Sequence, residues 1–242
     1  MPHKEELEEA TVYPRGLKEV RWGFIRKVYG ILAVQIVLTM LVSFLTLLLY
    51  SPINELLSGI AGLLFFFACL PSIFFCPLYI YHQKHPLNFI FLGLFAASLS
   101  IAVEVEYANT EGNLVVEALI LTTVVVSTLT CYTFWASMKG NQDFSYLEPI
   151  LFWSLFVLFL IFFQSLILQT IFPSFGLTLS VFAIFNGALG AMVFSGYIVY
   201  YTDNLIRRCS YDQYIWASAL LYWDIVYLSL SILRVLRGMC AD

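Results

Sequence analysis

From Pro149 to Thr202 the chain carries no charged residue and no histidine. That run is far longer than the roughly 20 apolar residues one bilayer crossing needs. A soluble domain is about one-quarter charged, whereas this chain is 12% charged and 61% hydrophobic. It lacks the charge to solvate a globular surface, so its natural solvent is lipid. Phe172-Pro173-Ser174-Phe175-Gly176 supplies the break that divides the run into two helices.

The same reading along the whole chain gives seven apolar segments: Val28–Tyr50, Leu56–Tyr81, Leu87–Val103, Leu114–Ala136, Ile150–Ile171, Gly176–Tyr201 and Tyr214–Leu233. The expected fold class is an all-α membrane protein, a seven-transmembrane-helix bundle with the last helix central. Residues 1–20, with Glu5, Glu6, Glu8 and Glu9, read as a disordered acidic tail; residues 21–242 form the membrane domain. No cleavable signal peptide is evident, and the short connections leave no room for a soluble catalytic domain.

Lys and Arg set orientation. Arg15, Lys18, Arg21, Arg26 and Lys27 flank the first segment, and Lys84, Lys139, Arg207 and Arg208 fall in alternate loops. The third-to-fourth loop is acidic instead, with Glu104, Glu106 and Glu111. This places the N-terminus in the cytosol. Arg234 and Arg237 run against the pattern, because seven crossings put them outside. They either snorkel or belong to a re-entrant last segment; seven crossings is the reading adopted.

Asp224 sits midway along the last segment, where a carboxylate costs about 2.5 kcal/mol or more. Desolvation disfavours its charged form, which suits a proton or cation site; the plainer reading is a protonated carboxyl hydrogen-bonded to a neighbouring helix. Asp203 is either a pathway residue or an i,i+4 partner of Arg207. Glu117 enters the fourth segment within its first turn, where a helix N-terminus favours negative charge. Glu104 and Glu106 sit at the outer mouth. Ala183, Gly187, Ala191 and Ser195 make a small-residue face that packs against another helix.

Most chemistry is excluded. The five cysteines form no CxxC pair and no disulfide framework. His82 and His85 lack a third ligand. Hydrolase, zincin and P-loop motifs are absent, and no lysine lies within a span to hold retinal. Asp203 and Asp224 superficially fit an intramembrane aspartyl protease, but Leu221-Tyr222-Trp223-Asp224 lacks the required Gly-x-Gly-Asp. The chain is expected to be no enzyme, to need no cofactor or resident metal, and to bind no nucleic acid. A seven-helix receptor is disfavoured by the short outer loops.

Several stretches carry a resemblance. They include Arg21-Trp22-Gly23-Phe24-Ile25-Arg26-Lys27-Val28-Tyr29, Pro86-Leu87-Asn88 and Glu117-Ala118-Leu119-Ile120-Leu121-Thr122-Thr123. Others are Tyr132-Thr133-Phe134-Trp135-Ala136-Ser137, Asp143-Phe144-Ser145-Tyr146, Gly196-Tyr197-Ile198-Val199-Tyr200, and Tyr211-Asp212-Gln213-Tyr214 leading to Leu221-Tyr222-Trp223-Asp224. From about residue 20 to its end the chain resembles the Bax-inhibitor/LIFEGUARD membrane family, especially its plant LIFEGUARD branch.

The resemblance implies residence in endomembranes (endoplasmic reticulum, Golgi or vacuole, in preference to the plasma membrane), suppression of programmed cell death, and control of stored calcium. Its implied partners are the lipid bilayer and other membrane proteins of cell-death control. The implied mechanism is a pH-sensitive calcium leak, with calcium as the transported ion. Two aspartates, late in segment six and midway along segment seven, share a proton, because like charges a few ångströms apart cannot both ionise cheaply.

Asp224 matches the second aspartate. At the first, the family reads Tyr-Asp-Thr and this chain reads Tyr200-Tyr201-Thr202. Asp203 lies two residues on, about 200° around the helix, and does not substitute. A phenol is neutral at physiological pH, so Tyr201 can hydrogen-bond Asp224 but cannot complete a carboxylate pair. Trp223, Tyr227 and Glu148-Pro149 also depart from the family pattern. The expected pH-sensor or ion-pathway residues are therefore Asp224, Tyr201, Asp203 and Glu117. The alternative is a non-conducting interaction protein that acts through membrane partners.

Overall fold

The computed structural model describes residues 22–42, 45, 71, 73–81, 86–108, 110–139, 144–171, 176–207 and 213–240. Among them stand seven helices: α1 (Trp22–Val42), α2 (residues 73–81), α3 (Leu87–Ala108), α4 (Gly112–Met138), α5 (Leu147–Ile171), α6 (Gly176–Arg207) and α7 (Tyr214–Met239). The acidic tail, the first half of the second segment, His82, His85 and the Pro173 break lie outside the described residues. Helices are what lipid demands, because only they and closed barrels pair every backbone N–H and C=O without water. Five of the seven are long and apolar enough to cross a bilayer.

Three helices run past the ends that hydropathy alone sets. α6 continues beyond Tyr201 to Arg207 because Leu205 and Ile206 are buried in the core. α3 extends through Ala108 and α7 through Met239. Their extra turns are tied together by Tyr107–Ser229 (2.9 Å) and Glu106–Arg234 (3.3 Å). α1 is already helical at Trp22, the first described residue, where Phe24, Ile25 and Val28 face the core while Arg26 and Lys27 stay exposed. In each case tertiary burial or a polar tie stabilises turns whose composition is too polar for a hydropathy window.

α7 packs against α3, α4 and α6, and it buries residues around most of its circumference, among them Ala219, Leu221, Tyr222, Asp224 and Leu228. The Tyr222 hydroxyl joins Thr39 of α1 (2.6 Å) and reaches Ser100 of α3 (3.5 Å). α5 contrasts with it. Ile150, Phe152, Trp153, Phe156, Phe159 and Leu160 are all exposed. An apolar surface of that extent is stable only against lipid.

Helix directions follow from paired contacts. Ala96 and Ser100 meet Tyr222, and Tyr107 meets Ser229, so α3 and α7 are parallel. Gly187 and Gly190 meet Ser231, and Phe194 meets Tyr227, so α6 and α7 are antiparallel. α6 approaches closely because it presents glycine. A Cβ at Gly187 would stand 2.8 Å from the Ser231 carbonyl oxygen and 3.1 Å from the Val235 nitrogen. This is the small-residue face expected from the sequence, joined by Gly190.

A candidate site between the sixth and seventh helices

Asp224 projects from the middle of α7 and is 4% exposed. Its Oδ2 has no hydrogen-bond partner. Facing it across the α6–α7 contact are Tyr197 and Tyr201, four residues apart on one face of α6, both within electrostatic reach of the carboxyl. Their rings stack at 5.7 Å, and Tyr200 meets Tyr201 edge-on at 5.3 Å. Trp223 and Tyr227 stack at 4.7 Å on α7 beside it, and Phe194 covers Tyr227. Aromatic rings are thus gathered on both helices near the carboxyl. An orphaned carboxyl oxygen at this depth is a cost, since a buried polar atom without a partner forfeits about 1–3 kcal/mol.

Asp203 lies in a different environment, two residues beyond Tyr201 on α6. It is 5% exposed and fully engaged. The Ser137 hydroxyl of α4 and the Arg207 guanidinium (2.8 Å) both donate to Oδ1. The Phe144 backbone N–H donates to Oδ2 at 3.4 Å from the short 3-10 turn Phe144–Tyr146. The i,i+4 pairing with Arg207 is thus present, within a larger clasp that ties the end of α6 to the end of α4 and the start of α5.

Glu117 is exposed and lies in the second turn of α4, because that helix opens at Gly112 after Glu111. Glu148 does occupy the first turn of α5. The structure thus brings Asp224 and Tyr201 together, and leaves Asp203 and Glu117 in separate places. Sequence reasoning missed Tyr197, which the four-residue spacing to Tyr201 points to, and Ser137, whose contact with Asp203 spans 66 positions and leaves no local signal. Among the described residues, no three His, Cys, Asp or Glu side chains gather as metal ligands.

A bundle of apolar helices with a buried, partly unpartnered carboxyl in its last helix defines an α-helical membrane protein. The chain belongs to the family described as Inhibitor of apoptosis-promoting Bax1, which matches residues 21–240. It is 53% identical to the BI1-like protein of Arabidopsis thaliana over 95% of this chain and 87% of the relative. It is 46% identical to Protein LIFEGUARD 4 of the same plant, over 95% and 91%. A Golgi anti-apoptotic protein of Vaccinia virus (strain Lister) is 34% identical, over 90% and 86%.

Proposed function

We propose that this protein is a non-enzymatic endomembrane regulator that restrains programmed cell death and adjusts stored calcium, with Asp224 as the ionisable group of its site. The observation that carries the reading is Asp224 itself, buried with an unpartnered oxygen and facing phenols instead of a second carboxylate. Intramembrane carboxyls of this kind mark ion or proton pathways. The names of the relatives support the cell-death role, and the viral Golgi protein supports an endomembrane location. The N-terminus faces the cytosol and calcium is the transported ion.

Tyr201 alters the gate. A proton shared between two carboxylates needs two carboxylates, and Tyr201 supplies a neutral hydroxyl. The pH-gated leak is consequently weakened or lost. The purified protein in calcium-loaded liposomes is expected to show low efflux, flat between about pH 6 and 8. Tyr201→Asp should raise efflux and make it pH-dependent. A wild-type leak that rises with pH and ignores Tyr201→Asp would overturn the proposal.

Tyr201 also favours a second reading, a non-conducting protein that works through membrane partners. Absence of efflux from pure wild type and from Tyr201→Asp alike, with protection of cells retained, selects it.

A further inference from the structure

Gln35 is the polar side chain of α1 that the calcium reading does not use. It is 3% exposed, and neither its amide nitrogen nor its amide oxygen has a hydrogen-bond partner. It lies well inside an apolar helix, where an unmet amide is costly. Gln35 lines a groove of about 480 Å³ between α1, α3 and the start of α7. That volume falls within the range of about 300–1,000 Å³ typical of ligand sites.

Two glycines on opposite walls open the groove. Gly30 on α1 and Gly93 on α3 both line it, and a Cβ on either would meet nothing within 4 Å. The remaining walls are apolar, with Val34 and Phe89 exposed along the rim. Lys27 closes the end nearest the start of α7, its amine 5.7 Å from the Tyr214 ring centroid. Lys27 and Gln35 stand eight residues apart, about 12 Å along the helix.

We propose that this groove holds one anionic glycerophospholipid. Its phosphate meets Lys27, an ester carbonyl hangs down to the Gln35 amide, and an acyl chain lies across Gly30 and Gly93. The chemistry matches at each level: a cation near the interface, a hydrogen-bond donor below it, and bare apolar wall beneath an open face.

Native mass spectrometry of the full chain in mild detergent tests this, with phosphatidylglycerol and phosphatidylcholine as probes. The wild type should retain one phosphatidylglycerol in preference to phosphatidylcholine. Gly93→Leu and Gly30→Leu, which fill open space, should each abolish retention. Lys27→Gln should weaken it about fivefold, the effect of one cation near an anionic headgroup. Gln35→Leu should raise the melting temperature without lipid, by removing the orphaned amide, and lose the further rise that phosphatidylglycerol gives the wild type.

A second measurement does not depend on any variant folding. A photoreactive phosphatidylglycerol should label wild-type residues 30–38 and 89–96. Equal retention of both lipids, retention unchanged in both glycine variants, or labelling elsewhere would each overturn the proposal.

Discussion

Asp203 and Asp224 present the same side chain near the same helix pair, and the structure gives them opposite energetics. Asp203 accepts from Ser137, Arg207 and the Phe144 N–H. Asp203→Ala should therefore cost about 2–3 kcal/mol, the scale of hydrogen bonds to a charged group, read as an earlier unfolding midpoint in mixed micelles. Asp224 accepts nothing at Oδ2. Asp224→Leu should stabilise by about 1–3 kcal/mol while abolishing protection against cell death, the sign expected of a group kept for function at the expense of stability. The sequence singled out Asp224 because its neighbours are uncharged, and the structure buries it. It left Asp203 open between two roles, because what decides the matter is a hydroxyl and a backbone N–H from distant segments. Tyr201 was legible as a departure from the family; its stacking on Tyr197 was not, since that depends on the rotamers of both rings.

At the scale of elements, α6 needs glycine where it meets the backbone of α7 and is more tolerant where it meets only a side chain of α5. A Cβ at Gly187 runs into the Ser231 carbonyl oxygen and the Val235 nitrogen, which are backbone atoms and cannot step aside. A Cβ at Gly196, on the side that meets α5, would touch side-chain atoms of Leu151 alone, Cδ2 at 2.8 Å and Cγ at 3.9 Å, the far end of a flexible side chain. Gly187→Ala should cost about 1–3 kcal/mol through overpacking, and Gly196→Ala distinctly less. Thermal melts of the two variants in one detergent give the comparison, and equal losses would refute it. The four-residue repeat through Gly187 was readable from spacing alone. Which partner it meets was not, because helical periodicity identifies a face and says nothing of what covers it. Helix ends were the least legible part. Hydropathy stopped α3, α6 and α7 early, and the turns beyond are held by Leu205, Ile206 and the Glu106–Arg234 pair.

For the whole molecule, one of the two arginines that broke the charge pattern, Arg234, acquires a partner. Contacts gather Lys27, the end of α4, the end of α6 and the start of α7 at one end of the bundle. Lys27 lies over Tyr214, Phe134 meets Tyr29, and Ser137 meets Asp203 beside Arg207. The opposite end holds the ends of α3 and α7, where Arg234 pairs with Glu106. Arg234 thus has an acidic partner on that face, from the acidic loop region. α7 has 26 residues in one unbroken helix, about 39 Å long, against a hydrocarbon core of about 30 Å. It lies parallel to α3 along its length. The expectation is seven crossings with the C-terminus on the face away from the cytosol. An N-x-Ser/Thr acceptor appended after Asp242 should be glycosylated in microsomes, and one appended before Met1 should not. Glu106→Arg should leave that outcome unchanged while destabilising the fold, since it sets two arginines against each other without moving any cytosolic charge. No glycosylation at the C-terminal acceptor would favour the re-entrant reading, and glycosylation of the N-terminal one would invert the orientation.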